Sequence, residues 1–151
     1  MRLKYGHVIE CTGATRDADG KLLEVQATLV PDTKSGTPGA DGIKVKGVIT
    51  WVGAADAIAA EVRLYDRLFS VPQPDTGEKD FLEELNPDSL KVVTAYVEPS
   101  LASAKGDDKF QFERHGYFVA DRKDHSPLNG GEGKGKPVFN RVAGMKDSWG
   151  K

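Results

Sequence analysis

The sequence is poor in the residues that build covalent and metal frameworks. Cys11 is the only cysteine among 151 residues, which excludes an intrachain disulfide and a cysteine-held zinc. The histidines, His7, His115 and His125, are scattered and lack the i,i+4 or short-loop spacing of a metal site. No G-x-S-x-G elbow and no H-E-x-x-H occurs, and no pair of carboxylates stands out, so no catalytic residue and no metal ligand is assigned. The longest uncharged apolar run, Gly47–Ala55, is far short of the roughly 18–20 residues of a bilayer crossing. The opening MRLKYGHVIE has no apolar core of a signal peptide. These absences leave a soluble, cytoplasmic chain that does not contact a membrane. With 38% hydrophobic and 29% charged residues, it has material for a core and is not a disordered segment.

Charge is present but uneven. The net charge is −2, yet residues 122–151 hold seven basic side chains against Asp124, Glu132 and Asp147. Much of the opposing charge lies in Asp75–Asp88. This leaves room for a local basic surface but not for a general polyanion binder.

Short alternating segments separated by turn residues dominate the chain. Gly6–Cys11 reads as a strand leading to the Asp19-Gly20 step, which suits a hairpin turn into Leu22–Val30. Pro31–Gly42 has turn composition without periodicity and reads as an exposed loop. Ile43–Val52 alternates as a half-buried strand. Ala54–Ala60 reads as a loop or helical turn, with strand from Glu61. Glu78–Leu85 is expected as a short helix with Phe81, Leu82 and Leu85 on one side. Leu90–Val97, Phe110–Ala120 and Val138–Met145 read as strands, with Arg122–Lys136 a glycine-rich, mobile insert. The sum is an all-β chain with one or two short helices. Basic residues beside the first and last strands, in Arg2-Leu3-Lys4 and Asn140-Arg141-Val142, give a faint internal echo.

Each motif has a plain alternative. His7 and Cys11 lie four residues apart, but a core thiol near a surface histidine is the preferred reading over a nucleophile pair. Gly130–Lys136 fits G-x-x-x-x-G-K, yet Pro137 follows where a P-loop needs Ser or Thr and a helix. It reads as a basic loop. Phe110-Gln111-Phe112-Glu113-Arg114 places Phe110, Phe112 and Arg114 on one face and Gln111 on the other. Gln and Arg can read base edges and aromatics can stack on bases. Composition alone favours a strand with its Phe side chains in the core.

Several segments together resemble the C-terminal anticodon-binding region of the glutaminyl-tRNA synthetase family. They are Lys44–Val52, Arg63–Pro72 with its Leu-Tyr-Asp-Arg-Leu-Phe stretch, Asn86–Leu90, Phe110–Phe118, and Lys136–Arg141 with Lys146–Trp149. The resemblance covers nearly the whole chain. It implies two antiparallel β-barrels resembling ribosomal protein L25, the first incomplete: residues 1–60 as the remainder of one barrel, 61–151 as the second. It implies a monomer whose partners are the anticodon loop of tRNA(Gln) and the missing catalytic half of the same enzyme. Arg2 and Lys4 match family positions near the first anticodon base and its phosphates. Gln111 and Arg114 match positions around the middle and third bases, and Lys146 a further basic position. The family commonly has Arg where Lys4 and Lys146 stand, and lysine lacks the bidentate fork. The H-I-G-H-like and K-M-S-K-S-like motifs are absent, so the chain is expected to need no cofactor and to aminoacylate nothing, with Met1 a start placed on a fragment. The whole ligase would use ATP and magnesium. The alternatives are a related glutamyl-tRNA synthetase and a stand-alone RNA-binding protein of L25 type.

Overall fold

The computed structural model describes residues 1–76, 80–128 and 135–145. Its regular elements are β-strands and short 3-10 turns, in agreement with the all-β reading. The chain divides into two compact units, Met1–Trp51 and Val52–Lys151.

The first unit contains β1 (Arg2–Leu3), β2 (Ile9–Arg16), β3 (Leu22–Leu29) and β4 (Val48–Ile49). β2 and β3 form an antiparallel ribbon. Its turn is fixed by Asp17, whose Oδ1 accepts from the amides of Asp19 (3.0 Å) and Lys21 (2.8 Å), while Gly20 takes a positive φ of 78°. The ribbon pairs with no third strand among the described residues. Its residues are therefore mostly exposed on both faces, including Cys11. The expected core thiol is corrected: alternation gives no burial where no layer covers the strand.

The neighbouring segments also depart from expectation. Only Val48 and Ile49 of Ile43–Val52 pair, and they run parallel to β1. The Pro31–Gly42 loop is not simply exposed, because Thr33 and Ala40 are buried. Thr33 Oγ1 accepts from the Val8 amide at 2.9 Å and donates to Val30 O at 2.7 Å. Polar anchoring holds this loop where apolar periodicity is lacking.

The second unit is built on a five-stranded sheet of order β6-β5-β9-β8-β7. Its strands are β5 (Ile58–Tyr65), β6 (Leu90–Val97), β7 (Lys109–Phe112), β8 (Gly116–Ala120) and β9 (Val138–Ala143). β5 and β9 are parallel and the other neighbours antiparallel. Alternation now does bury one face: Ala60, Val62, Phe118, Ala120 and Phe139 meet in one core, with Phe110 and Phe112 packed against it. Phe139 is fully buried and meets Phe110 and Phe112 edge-on at 5.7 and 5.4 Å, and Phe112 stacks on Phe118 at 4.3 Å. Such pairs each add about 0.5–1.5 kcal/mol beyond burial.

Two sequence expectations fail here. The Glu78–Leu85 helix is one 3-10 turn, Phe81–Glu84, capped by the Asp80 side chain on the Leu82 amide, and residues 77–79 lie outside the described residues. Phe81, Leu82 and Leu85 are exposed, so no buried face favours extending the turn. The segment 110–120 is a hairpin rather than one strand. It turns at Glu113–His115, where the His115 amide donates to Phe112 O at 2.9 Å and Arg114 takes a φ of 67°.

Candidate nucleic-acid interface

In the first unit, Arg2 is half-buried and its guanidinium is engaged by the main chain. Nη1 donates to Thr33 O at 2.7 Å, with longer contacts to Gly6 O and Ser35 Oγ, and Nη2 donates to Ala40 O. The planar fork thus closes the 33–40 loop. Lys4 presents its ammonium 5.2 Å from the centre of the Tyr5 ring, within cation–π range. The Lys4 carbonyl accepts from Trp51 Nε1 at 3.0 Å. Tyr5 and Trp51 are 74% and 52% exposed, which sets aromatic surface beside a cation.

In the second unit, Gln111 and Arg114 share one hairpin. Phe110 and Phe112 turn into the core and Gln111 turns out, as pleat alternation requires. Its amide makes a weak contact with Met145 Sδ at 3.8 Å. Arg114 does not share the face of Phe110 and Phe112: the turn takes it out of β7, and it is exposed. Lys146 lies outside the described residues. Gln111 and Arg114 thus lie on one hairpin, and Arg2 and Lys4 lie on β1 and the turn that follows it.

Other charged groups form a scaffold. Arg63 reaches Glu61 (2.8 Å), Asp121 (3.4 Å) and Asp124 (2.7 Å). Asp121 accepts from the Asp124 amide, Asn140 Nδ2 and the Lys123 amide, and these hydrogen bonds hold its pKa down at about 2. Lys136 and then Arg63 lower that of Glu61. Lys136, the lysine of the P-loop-like run, is ion-paired to Glu61 at 2.8 Å, while Gly130–Lys134 of that run lie outside the described residues. His125 is buried. Its Nε2 lies 2.8 Å from Ala104 O, and its Nδ1 lies 3.1 Å from the Val138 amide and 3.2 Å from the Val138 carbonyl. Among the described residues no group of three or more His, Cys, Asp or Glu is placed to hold a metal.

Sequence reasoning passed over Tyr5, Trp51 and Tyr117. Tyr117 was legible in principle, because a turn at Glu113–His115 makes it the cross-strand partner of Gln111.

Comparison with known proteins gives a consistent answer. Residues 48–121 match the family model described as tRNA synthetases class I (E and Q), anti-codon binding domain. The whole chain is 67% identical to a glutamine–tRNA ligase of Ralstonia nicotianae, of which it covers 25%. Over 151 residues it is 66% identical to that of Cupriavidus taiwanensis, again covering 25% of the relative. It is 57% identical to that of Bordetella avium over 149 residues, 99% of this chain and 24% of the relative. The chain spans about a quarter of the length of the curated relatives it matches. Residues 48–121 thus belong to the family of class I (E and Q) tRNA synthetase anticodon-binding domains, and similarity to glutamine–tRNA ligases runs along the full length of the chain.

Proposed function

We propose that this chain is the anticodon-recognising part of a glutaminyl-tRNA synthetase, acting in the cytoplasm as part of a monomeric enzyme on tRNA(Gln). The observation that carries this reading is the β7–β8 hairpin. Phe110 and Phe112 anchor it in the core, and Gln111 and Arg114 are left on the outside. Gln111 presents a donor and an acceptor to a base edge, and Arg114 adds charge for base or phosphate. Lys4 and Lys146 would attract phosphates, and Arg2 would act by shaping the 33–40 loop. The relatives named as glutamine ligases favour this reading over a glutamyl enzyme or a stand-alone RNA-binding protein. The resemblance implies two barrels, residues 1–60 and 61–151, of which the first would carry Arg2 and Lys4 and the second Gln111, Arg114 and Lys146.

Joining glutamine to tRNA with ATP and magnesium would belong to the remainder of such an enzyme. The described residues provide no metal cluster, and no step of that chemistry is assigned to them. The test is binding of the chain to an anticodon stem-loop carrying the glutamine anticodon and to one altered at the middle base, followed by fluorescence anisotropy. Preference for the glutamine loop is the expected result, and equal binding of both overturns base recognition.

A further inference from the structure

The outer face of β7, β8 and β9 carries chemistry beyond Gln111 that the family reading does not use. Lys109, Gln111, Tyr117 and Val119 turn outward because the alternate residues Phe110, Phe112, Phe118 and Ala120 belong to the core. Together with Val142 they line an open cleft of about 490 Å³. The register sets Tyr117 directly opposite Gln111, and opposed residues hold their Cβ atoms about 4.5–5.5 Å apart. Tyr117 is 49% exposed, and its ring pairs with no other ring among the described residues. Val142, 69% exposed, falls at the irregular step where β9 passes Tyr117 and Phe118. Lys109 is the cation of this face; Arg141 is the cross-strand partner of the core residue Phe118 and belongs to the other side of the sheet, while the carboxylate of Asp121, just past β8, is held by Asn140 and Arg63. An exposed aromatic ring, a neighbouring amide and a cation on one face are what an unpaired nucleotide requires: a stacking surface, an edge partner and a phosphate partner.

We infer that Tyr117 is the stacking platform for the unpaired anticodon base whose edge Gln111 reads, with Lys109 drawing the adjacent phosphate. This rests on the anticodon reading proposed above. The ring fixes the plane of the base, and the plane decides whether the Gln111 amide meets an edge or a face. Stacking is indifferent to base identity, because every base has a π-face. Tyr117 therefore supplies affinity while Gln111 supplies choice.

The experiment uses the chain with anticodon stem-loops that carry an abasic nucleotide at each anticodon position in turn. Tyr117→Leu should weaken binding of the intact loop by roughly 5- to 100-fold, while Tyr117→Phe keeps it near wild type. One abasic position should cost the wild-type chain affinity yet cost Tyr117→Leu much less, because the variant has already lost the stack. Thermal unfolding of both variants checks that the sheet is intact. Unchanged binding by Tyr117→Leu overturns the inference. So does a loss shared by Tyr117→Phe with a lowered melting temperature, which is the mark of a structural role. If the wild-type chain binds the intact loop and Tyr117→Leu matches it, this inference alone falls. If the wild-type chain binds no stem-loop, the anticodon reading falls as well.

Discussion

Arg2 and Thr33, thirty-one residues apart, are joined by a 2.7 Å hydrogen bond from the guanidinium to the backbone carbonyl. The same side chain also reaches Ala40 O, so one cation organises a loop that has no apolar periodicity. Arg2→Lys keeps the charge and loses the fork. It should destabilise the first unit by about 1–3 kcal/mol. Faster hydrogen exchange at the Val8 amide, which the loop residue Thr33 accepts, is the measurement. Unchanged protection would mean that the loop holds without Arg2.

Salt should weaken RNA binding in proportion to the cations engaged. With Lys4, Arg114 and Lys146 each meeting a phosphate of an unpaired loop, the log–log slope should be about −2, near −0.7 per contact. Arg114→Ala should reduce its magnitude by about 0.7. A titration of affinity against potassium chloride measures both, and a flat response would remove these cations from the interface.

Gln111→Ala should cost about 1–3 kcal/mol for the glutamine anticodon and less for a loop altered at the middle base. The core should be indifferent, because Gln111 is exposed. Equal losses for both loops would assign Gln111 to positioning.

Acid should loosen the second unit through Asp121. Hydrogen bonds from the Asp124 amide, Asn140 and the Lys123 amide depress its pKa to about 2 from an ordinary 3.8. A depressed carboxylate pKa stabilises the folded state above the unfolded value, and that contribution fades as pH falls through the folded one. Stability should therefore drop between about pH 4 and pH 2, by about 1–2 kcal/mol from this group. Asp121→Asn should be less stable at pH 7 and lose less over that window. Denaturant unfolding at several pH values checks this, and parallel curves for the two proteins would refute it.

Strand composition was legible over much of the covered sheet, although Ile58–Ala60, read as part of a loop or helical turn, opens β5. Leu90–Val97 and the start of Phe110–Ala120 were read correctly because Val97, Phe110 and Phe112 meet a core. Where tertiary contacts rather than pattern decide, the reading failed. The hairpin turn at Arg114 needs a positive φ, for which arginine gives no signal, unlike glycine or asparagine. Cys11 alternates with its neighbours in a ribbon that has nothing to be buried against. The site residues followed from resemblance. Strand alternation alone could offer Gln111 as an outward amide but could not choose it over any other exposed glutamine. The loop anchored by Arg2 was hidden because its hydrogen bonds go to backbone carbonyls, which have no sequence signature.

The place of β9 bears on how the protein is made. It lies between β5 and β8 in the sheet but follows both in sequence. The β5–β6 and β7–β8 pairs can each form from nearby residues. They become one sheet only when Val138 pairs with Glu61 and Asn140 with Val119. Such late, distant pairing slows folding. A chain emerging from the ribosome would carry Phe110, Phe112 and Phe118 uncovered until Phe139 arrives, a window in which aggregation or chaperone capture competes with closure. Nascent chains stalled before Val138 should bind a dye for exposed apolar surface, and release past Ala143 should abolish the signal.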